Sequence, residues 1–182
     1  MFSIATLATA FVCVPLVVGI AKLKKNSDLR DYLALQPVSA RSLMRWLGML
    51  AVLIVLADGL TVLLGRPIVP EFMSAAYGSA RPAWLLWLAL VLAAPLFEEI
   101  FFRGFLLKGF ASSVVGPAGA VALTSALWAV IHTQYDFYGM GTIFVLGVLF
   151  ALARLLTRSL VVPLTLHAVT NLVATAEAAL LG

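Results

Sequence analysis

The chain has 182 residues, of which 63% are hydrophobic and 11% are charged. A soluble globular domain is about half apolar and about a quarter charged, so this composition excludes an ordinary soluble protein and indicates one membrane domain over residues 1–182. The formal net charge of +4 is not arranged as a basic stripe interleaved with aromatic residues. We therefore expect no nucleic-acid partner.

Apolar runs along the chain predict the secondary structure. About 20 residues of helix are needed to cross roughly 30 Å of hydrocarbon. Six runs approach this length: Phe2–Ala21, Leu43–Leu64, Ala83–Leu107, Val114–Ile131, Gly141–Ala153 and Leu160–Leu181. The fifth run is short, and we expect it to extend through Thr157 with Arg154 reaching towards the interface. The sequence therefore predicts an all-α, polytopic transmembrane helix bundle of about six spans, with its polar site buried inside.

Basic residues predict how the bundle is oriented. Leaving aside Arg103, nine of them follow the first, third and fifth spans: Lys22, Lys24, Lys25, Arg30, Arg41, Arg45, Lys108, Arg154 and Arg158. Only Arg66 and Arg81 lie in the alternate loops. Because Lys and Arg are retained preferentially on the cytoplasmic side, we expect both termini outside and the loop at 22–45 inside.

Ionisable residues within the apolar runs mark a candidate site. Five such side chains lie in stretches apolar enough for hydrocarbon: Glu98, Glu99, Arg103, His132 and His167. A charged group at the centre of a membrane costs about 2.5 to 3.5 kcal/mol even on the lenient insertion scale, so residues of this kind usually serve a function.

The third span separates its two acids by helix geometry. Glu99 and Arg103 are four residues apart and share a face, whereas Glu98 lies about 100° around the axis. Arg103 can therefore neutralise Glu99 and leave Glu98 available as a base. The alternative is a structural ion pair with Glu98 as a bystander. Pro95, three residues before Glu98, is expected to kink the span and free backbone groups near the site.

The two histidines extend the candidate site to other spans. If the third and fourth spans form a hairpin that turns at Gly116 and Pro117, Glu98 and His132 lie at one level, about 25 Å from the turn. His167 and Asn171 are four apart on one face of the last span, roughly 14 to 20 Å from the turn near Arg158. A lone membrane histidine usually forms a helix-to-helix hydrogen bond. The two depths agree if the first hairpin protrudes somewhat into the cytoplasm. Two histidines, one asparagine and one glutamate at one level then predict a site.

Three sequence motifs resemble those of a known family. The runs LFEEIFFRGFLL, WAVIH and HAVTN are similar to the EExxxR, aromatic-xxx-His and HxxxN motifs of the CPBP family. These are the CAAX-protease and bacteriocin-processing intramembrane endopeptidases, which are related to the eukaryotic Ras-converting prenyl protease. The resemblance covers about residues 83–175, the expected catalytic core, while residues 1–82, the N-terminal spans and loops, match only in general character. Trp128 stands where many members have phenylalanine.

The resemblance implies an intramembrane endopeptidase. It implies that Glu98 and His132 activate a water molecule, while His167 and Asn171 stabilise the oxyanion. Peptide hydrolysis needs such a base and such donors. The implied partners are the lipid bilayer and a membrane-associated protein or peptide substrate. The compact chain is typical of a prokaryotic protein of the inner (plasma) membrane.

The remaining expectations concern the supporting residues of the site, its cofactors and the alternative functions. The resemblance implies that Glu99 with Arg103 holds the first acid in place. We expect no metal or other cofactor, because HExxH is absent and the cation Arg103 lies beside both glutamates; zinc held by histidines and glutamates is the competing mechanism. A non-catalytic membrane scaffold or immunity protein is one rival function. A small transporter is another, although the halves of the chain do not match as transporter repeats usually do.

Overall fold

The computed structural model describes the backbone of residues 2–22, 30 and 33–182, and the side chains of residues 7–19, 30 and 33–182. Within these ranges the chain is all-helical, with no strand. Seven helices have described bounds: α1 (Phe2–Lys22), α2 (Ala40–Leu63), α3 (Glu71–Ser79), α4 (Ala83–Ala111), α5 (Gly116–Val130), α6 (Phe137–Thr157) and α7 (Val161–Leu181). The predicted all-α membrane bundle is confirmed.

The helices differ in how far they can span a membrane. Four of the described helices are long and apolar enough to cross one, namely α2, α4, α6 and α7. The described side chains of α1 and the whole of α5 form shorter apolar stretches. At 1.5 Å per residue, the 15 residues of α5 rise only about 22 Å. Of the basic residues predicted to flank the first span, Lys24 and Lys25 lie outside the described residues.

Two helices depart from the predicted pattern. Helix α6 begins at Phe137, four residues before the expected start, and it runs through Thr157 as predicted. Arg154 in its last turn is buried instead of extending to the interface. The sequence did not predict the short α3, which packs through Met73 against Ala178 of α7.

Helix α4 is not a regular α-helix. It contains two π-helical stretches, Leu88–Ala93 and Ile100–Leu106, on either side of an α-helical segment that carries Glu98 and Glu99. A π-helix bonds residue i to residue i+5 and often occurs at functional sites.

Pro95 explains the hydrogen bonding of the first π-helical stretch. The N–H of Ala94 bonds to the carbonyl of Ala89, five residues earlier. The carbonyl of Leu90 would bond to residue 95 in that register, but Pro95 has no N–H. The carbonyl of Leu90 is therefore released from the helix, as Pro95 led us to expect.

Close packing of α6 on α5 fixes one aromatic residue of the core. Trp128 of α5 is buried in a cluster with Phe150 of α6 and Leu166 of α7. A Cβ atom at Gly147 of α6 would lie 3.0 Å from Cβ of Ser125 and 3.1 Å from Cε3 of Trp128. Only glycine lets α6 approach α5 this closely.

Gly147→Ala is therefore expected to destabilise the protein by about 1 to 3 kcal/mol, the usual cost of overpacking a core. Gly141→Ala in the same helix is the matched control, because nothing lies within 4 Å of a Cβ atom there. The control should be neutral or slightly stabilising, since alanine favours helix over glycine. Thermal unfolding in detergent measures both effects. Equal melting temperatures for the two variants would contradict this account of the α5–α6 contact.

Candidate active site

Glu99 and Arg103 form the predicted ion pair in the centre of the bundle. Both side chains are fully buried, and Nη1 of Arg103 lies 2.8 Å from Oε1 of Glu99. Arg103 also donates from Nη2 to the carbonyl of Gly147, at 3.3 Å. Its guanidinium carbon lies 4.3 Å from the centre of the Trp128 ring. Hydrogen bonds and an aromatic face thus surround a charge that has no access to solvent.

His167 joins this pair from α7. Its Nδ1 lies 2.9 Å from Oε1 of Glu99, the same oxygen that accepts from Arg103. An ionised carboxylate can only accept hydrogen bonds, so Nδ1 of His167 carries a proton in this contact. The sequence predicted the Glu99–Arg103 pair but not this contact, which depends on how α7 docks against α4.

Glu98 and His132 are connected through one residue, Trp128. The indole N–H of Trp128 donates to Oε2 of Glu98. The backbone carbonyl of Trp128 lies 2.6 Å from Nδ1 of His132, one turn further along α5. A carbonyl can only accept, so Nδ1 of His132 carries a proton, and Nε2 is an acceptor whenever the ring is neutral. The polar contact of Glu98 is therefore with Trp128, whereas Glu99 supports His167.

The hairpin geometry predicted that Glu98 lies level with His132, but in the structure Glu98 lies level with Trp128. Helix α4 ends at Ala111 and α5 begins at Gly116, so the turn is centred two to three residues before the expected position. The π-helical stretch between Glu98 and the turn also places more residues in each turn than an α-helix does. Both effects bring Glu98 nearer to the turn, and the pairing shifts by one helical turn.

Asn171 forms a hydrogen bond with the Leu90 carbonyl, which is free because Pro95 has no N–H. Its Nδ2 donates to the oxygen of Leu90 at 2.7 Å. The amide carries two N–H groups, so one remains for another acceptor. Asn171 lies one turn after His167 on α7, as their spacing predicted.

One cavity of about 1320 Å³ brings together the residues predicted to do chemistry: Glu98, His132, His167 and Asn171. Trp128 forms part of the same wall. Glu99 and Arg103 are fully buried behind it. The cavity is larger than the roughly 300 to 1,000 Å³ of a small-molecule site, so it can admit an extended peptide segment. Across the described part of the chain, no three His, Cys, Asp or Glu side chains are grouped as metal ligands.

Comparison with known proteins assigns the chain to a family. The model of the type II CAAX prenyl endopeptidase Rce1-like family matches residues 80–173, which contain all six candidate residues. The chain belongs to the Rce1-like family. An uncharacterized 24.3 kDa protein of Escherichia coli is 34% identical over 85 residues, which cover 46% of this chain and 39% of that relative. The chain thus spans about two fifths of the relative's length. No solved structure matches the chain significantly.

Trp128 is the residue of this Rce1-like protein that sequence reasoning missed. Its ring lies 5.1 Å from the His167 ring and 5.3 Å from the His132 ring, and its N–H holds Glu98. A phenylalanine would keep the aromatic contacts but lose the hydrogen bond. A signal was available, because Trp128 lies four residues before His132 on the same helical face and carries a donor.

The loop before α6 borders the cavity of this Rce1-like protein. Asp136 caps α6 by accepting from the N–H of Gly139 at 2.9 Å, and it pairs with Arg66. The bond from Gly139 and the pairing with Arg66 lower the pKa of Asp136. Burial and the charge of Glu98 raise the pKa of Tyr135 to about 12. Tyr135 therefore stays a neutral phenol beside His132, with their ring centres 6.3 Å apart.

Proposed function

We propose that this chain is an intramembrane endopeptidase of the CAAX-protease type that cleaves a peptide bond with water activated by glutamate and histidine. One observation carries the proposal. Trp128 holds both Glu98 and His132 at the wall of a cavity that His167 and Asn171 also line. Membership of the Rce1-like family supports the same reaction class.

Glu98 and His132 are proposed to handle the protons. Oε2 of Glu98 accepts from Trp128, which leaves Oε1 and its lone pairs for a water molecule. The neutral imidazole of His132 offers Nε2 as a second acceptor. Together they can remove a proton from water and return it to the leaving amine, a role commonly worth about 10²- to 10⁴-fold in rate.

His167 and Asn171 are proposed to stabilise the oxyanion. Asn171 can donate its second amide N–H while the first stays on Leu90. His167 can donate from Nε2 only when that atom is protonated, and the buried carboxylate of Glu99 stabilises such an imidazolium. Loss of one oxyanion donor typically lowers kcat by about 10²- to 10³-fold. Glu99 and Arg103 are accordingly proposed to position and charge His167.

The proposed substrate is a membrane-associated protein or peptide. The cavity is walled by bundle helices, and such a substrate reaches it from the bilayer. The similarity to a protein of Escherichia coli supports a prokaryotic source, and four helices long and apolar enough to cross a membrane support a location in the inner (plasma) membrane. The distribution of basic residues supports termini on the outer side.

Cleavage by the reconstituted protein tests this function against its rivals. Wild type in proteoliposomes should cleave a quenched fluorescent membrane peptide, and Glu98→Ala should abolish cleavage while melting normally. Solute flux without cleavage would instead identify a transporter. If neither cleavage nor flux is observed, the chain is a scaffold or immunity protein. Dialysis against a chelator should leave the cleavage rate unchanged. If cleavage is lost and zinc restores it, the reaction depends on zinc and the metal-free mechanism is wrong.

A further inference from the structure

A second cavity lies where the C-terminal ends of α4 and α6 meet. It has a volume of about 270 Å³. Four basic side chains and one hydroxyl make up its polar lining: Arg103, Lys108, Arg154, Arg158 and Ser112. No acidic side chain of the described residues lines it. The cavity is therefore a basic pocket, separate from the large cavity that contains the candidate active site.

Arg154 is the residue that makes this basic pocket unusual. Its side chain is only 8% exposed, and it makes no hydrogen bond or ion pair with any residue in the described part of the chain. A buried charge without a partner is strongly unfavourable. Nε of Arg103 is likewise buried without an acceptor, although its other nitrogens bond to Glu99 and Gly147. Because Arg103 is fully buried, the guanidinium groups that a ligand in the pocket could reach are those of Arg154 and of the exposed Arg158.

We propose that the basic pocket binds a phosphate-class oxyanion, carried either by an anionic lipid head group or by free phosphate. Guanidinium groups bind phosphate through paired, charge-assisted hydrogen bonds, and Ser112 adds a hydroxyl donor. At about 30 Å³ per water molecule, the pocket has room for about nine waters, which is ample for a phosphate group.

The place of the basic pocket in the bundle supports this ligand. The ends of α4 and α6 lie on the side that the basic residues assign to the cytoplasm. Basic pockets between transmembrane helices on that side bind phosphorylated lipid head groups. Arg103 also pairs with Glu99, so the bound anion lies one side chain away from the Glu99–His167 contact.

The first arm of the test measures free phosphate. The full-length protein is purified in detergent, stripped of lipid, and melted with increasing inorganic phosphate against chloride of matched ionic strength. Phosphate should raise Tm, because a ligand of the folded state stabilises it. Arg154→Gln and Arg158→Gln should each need about tenfold more phosphate for the same shift. Arg45→Gln is the matched control, since it removes an exposed arginine that does not line the pocket.

The second arm measures lipid. Native mass spectrometry with added phosphatidylglycerol or phosphatidylcholine should show retention of phosphatidylglycerol by wild type and by Arg45→Gln, reduced about tenfold in the two pocket variants. A response to phosphate alone identifies a free anion, and a response to phosphatidylglycerol alone identifies a head group. No binding by wild type, or pocket variants equal to Arg45→Gln, overturns the proposal. Should Arg154→Gln fail to fold, the exposed Arg158 decides the result.

Discussion

Glu98→Gln is expected to lower the rate of peptide cleavage by about 10²- to 10⁴-fold, the usual contribution of a general base. His132→Ala should cost about as much, and the double variant little more than either. Residues that serve one chemical step are strongly non-additive, and Trp128 holds these two at the same cavity wall. Single-turnover cleavage of a membrane-embedded peptide provides the rates, and thermal melts confirm that each variant folds.

Trp128→Phe refines this experiment. It keeps an aromatic ring in the core but removes the N–H that holds Glu98. Loss of one hydrogen bond to a charged group should slow cleavage by about tenfold or more. Trp84→Phe is the matched control, because Trp84 is exposed on α4.

Two results would refute the shared role of Glu98 and His132. One is a double variant whose loss of rate equals the product of the two single losses, and the other is a near-normal rate for Glu98→Gln.

Arg103→Met is expected to destabilise the folded protein by about 3 to 5 kcal/mol. Glu99 would keep its charge in a fully buried position, and removal of one partner from a buried pair commonly costs this much. Reduced folded yield and a lower melting temperature in detergent would report the loss. Activity should fall as well, because Glu99 also bonds to His167.

Removal of both charges is the matched comparison for this pair. Glu99→Gln combined with Arg103→Met leaves no stranded charge, and paired replacements of this kind are often close to neutral. The double variant should therefore recover much of the stability lost by Arg103→Met and still cleave slowly, since His167 lacks its carboxylate. Normal melting of Arg103→Met with complete loss of turnover would instead make Arg103 a catalytic residue.

The sequence by itself determined that the chain lies in a membrane, and it determined much of the local helix geometry. A composition of 63% hydrophobic residues requires a bilayer, where helices satisfy their own backbone groups. A four-residue spacing places two side chains on one helical face without reference to any other helix. The Glu99–Arg103 pair could therefore be predicted before the structure was known, as could the shared face of His167 and Asn171.

Only the tertiary structure decided how the helices register against one another. The pairing of Glu98 with Trp128, one turn before His132, follows from a π-helical stretch and an earlier turn. A sequence pattern with one fixed rise per residue contains neither feature. The contact between His167 and Glu99 and the burial of Arg154 depend on which faces of α4, α6 and α7 meet. Side-chain packing across the whole bundle selects those faces, and it is not encoded in any one segment.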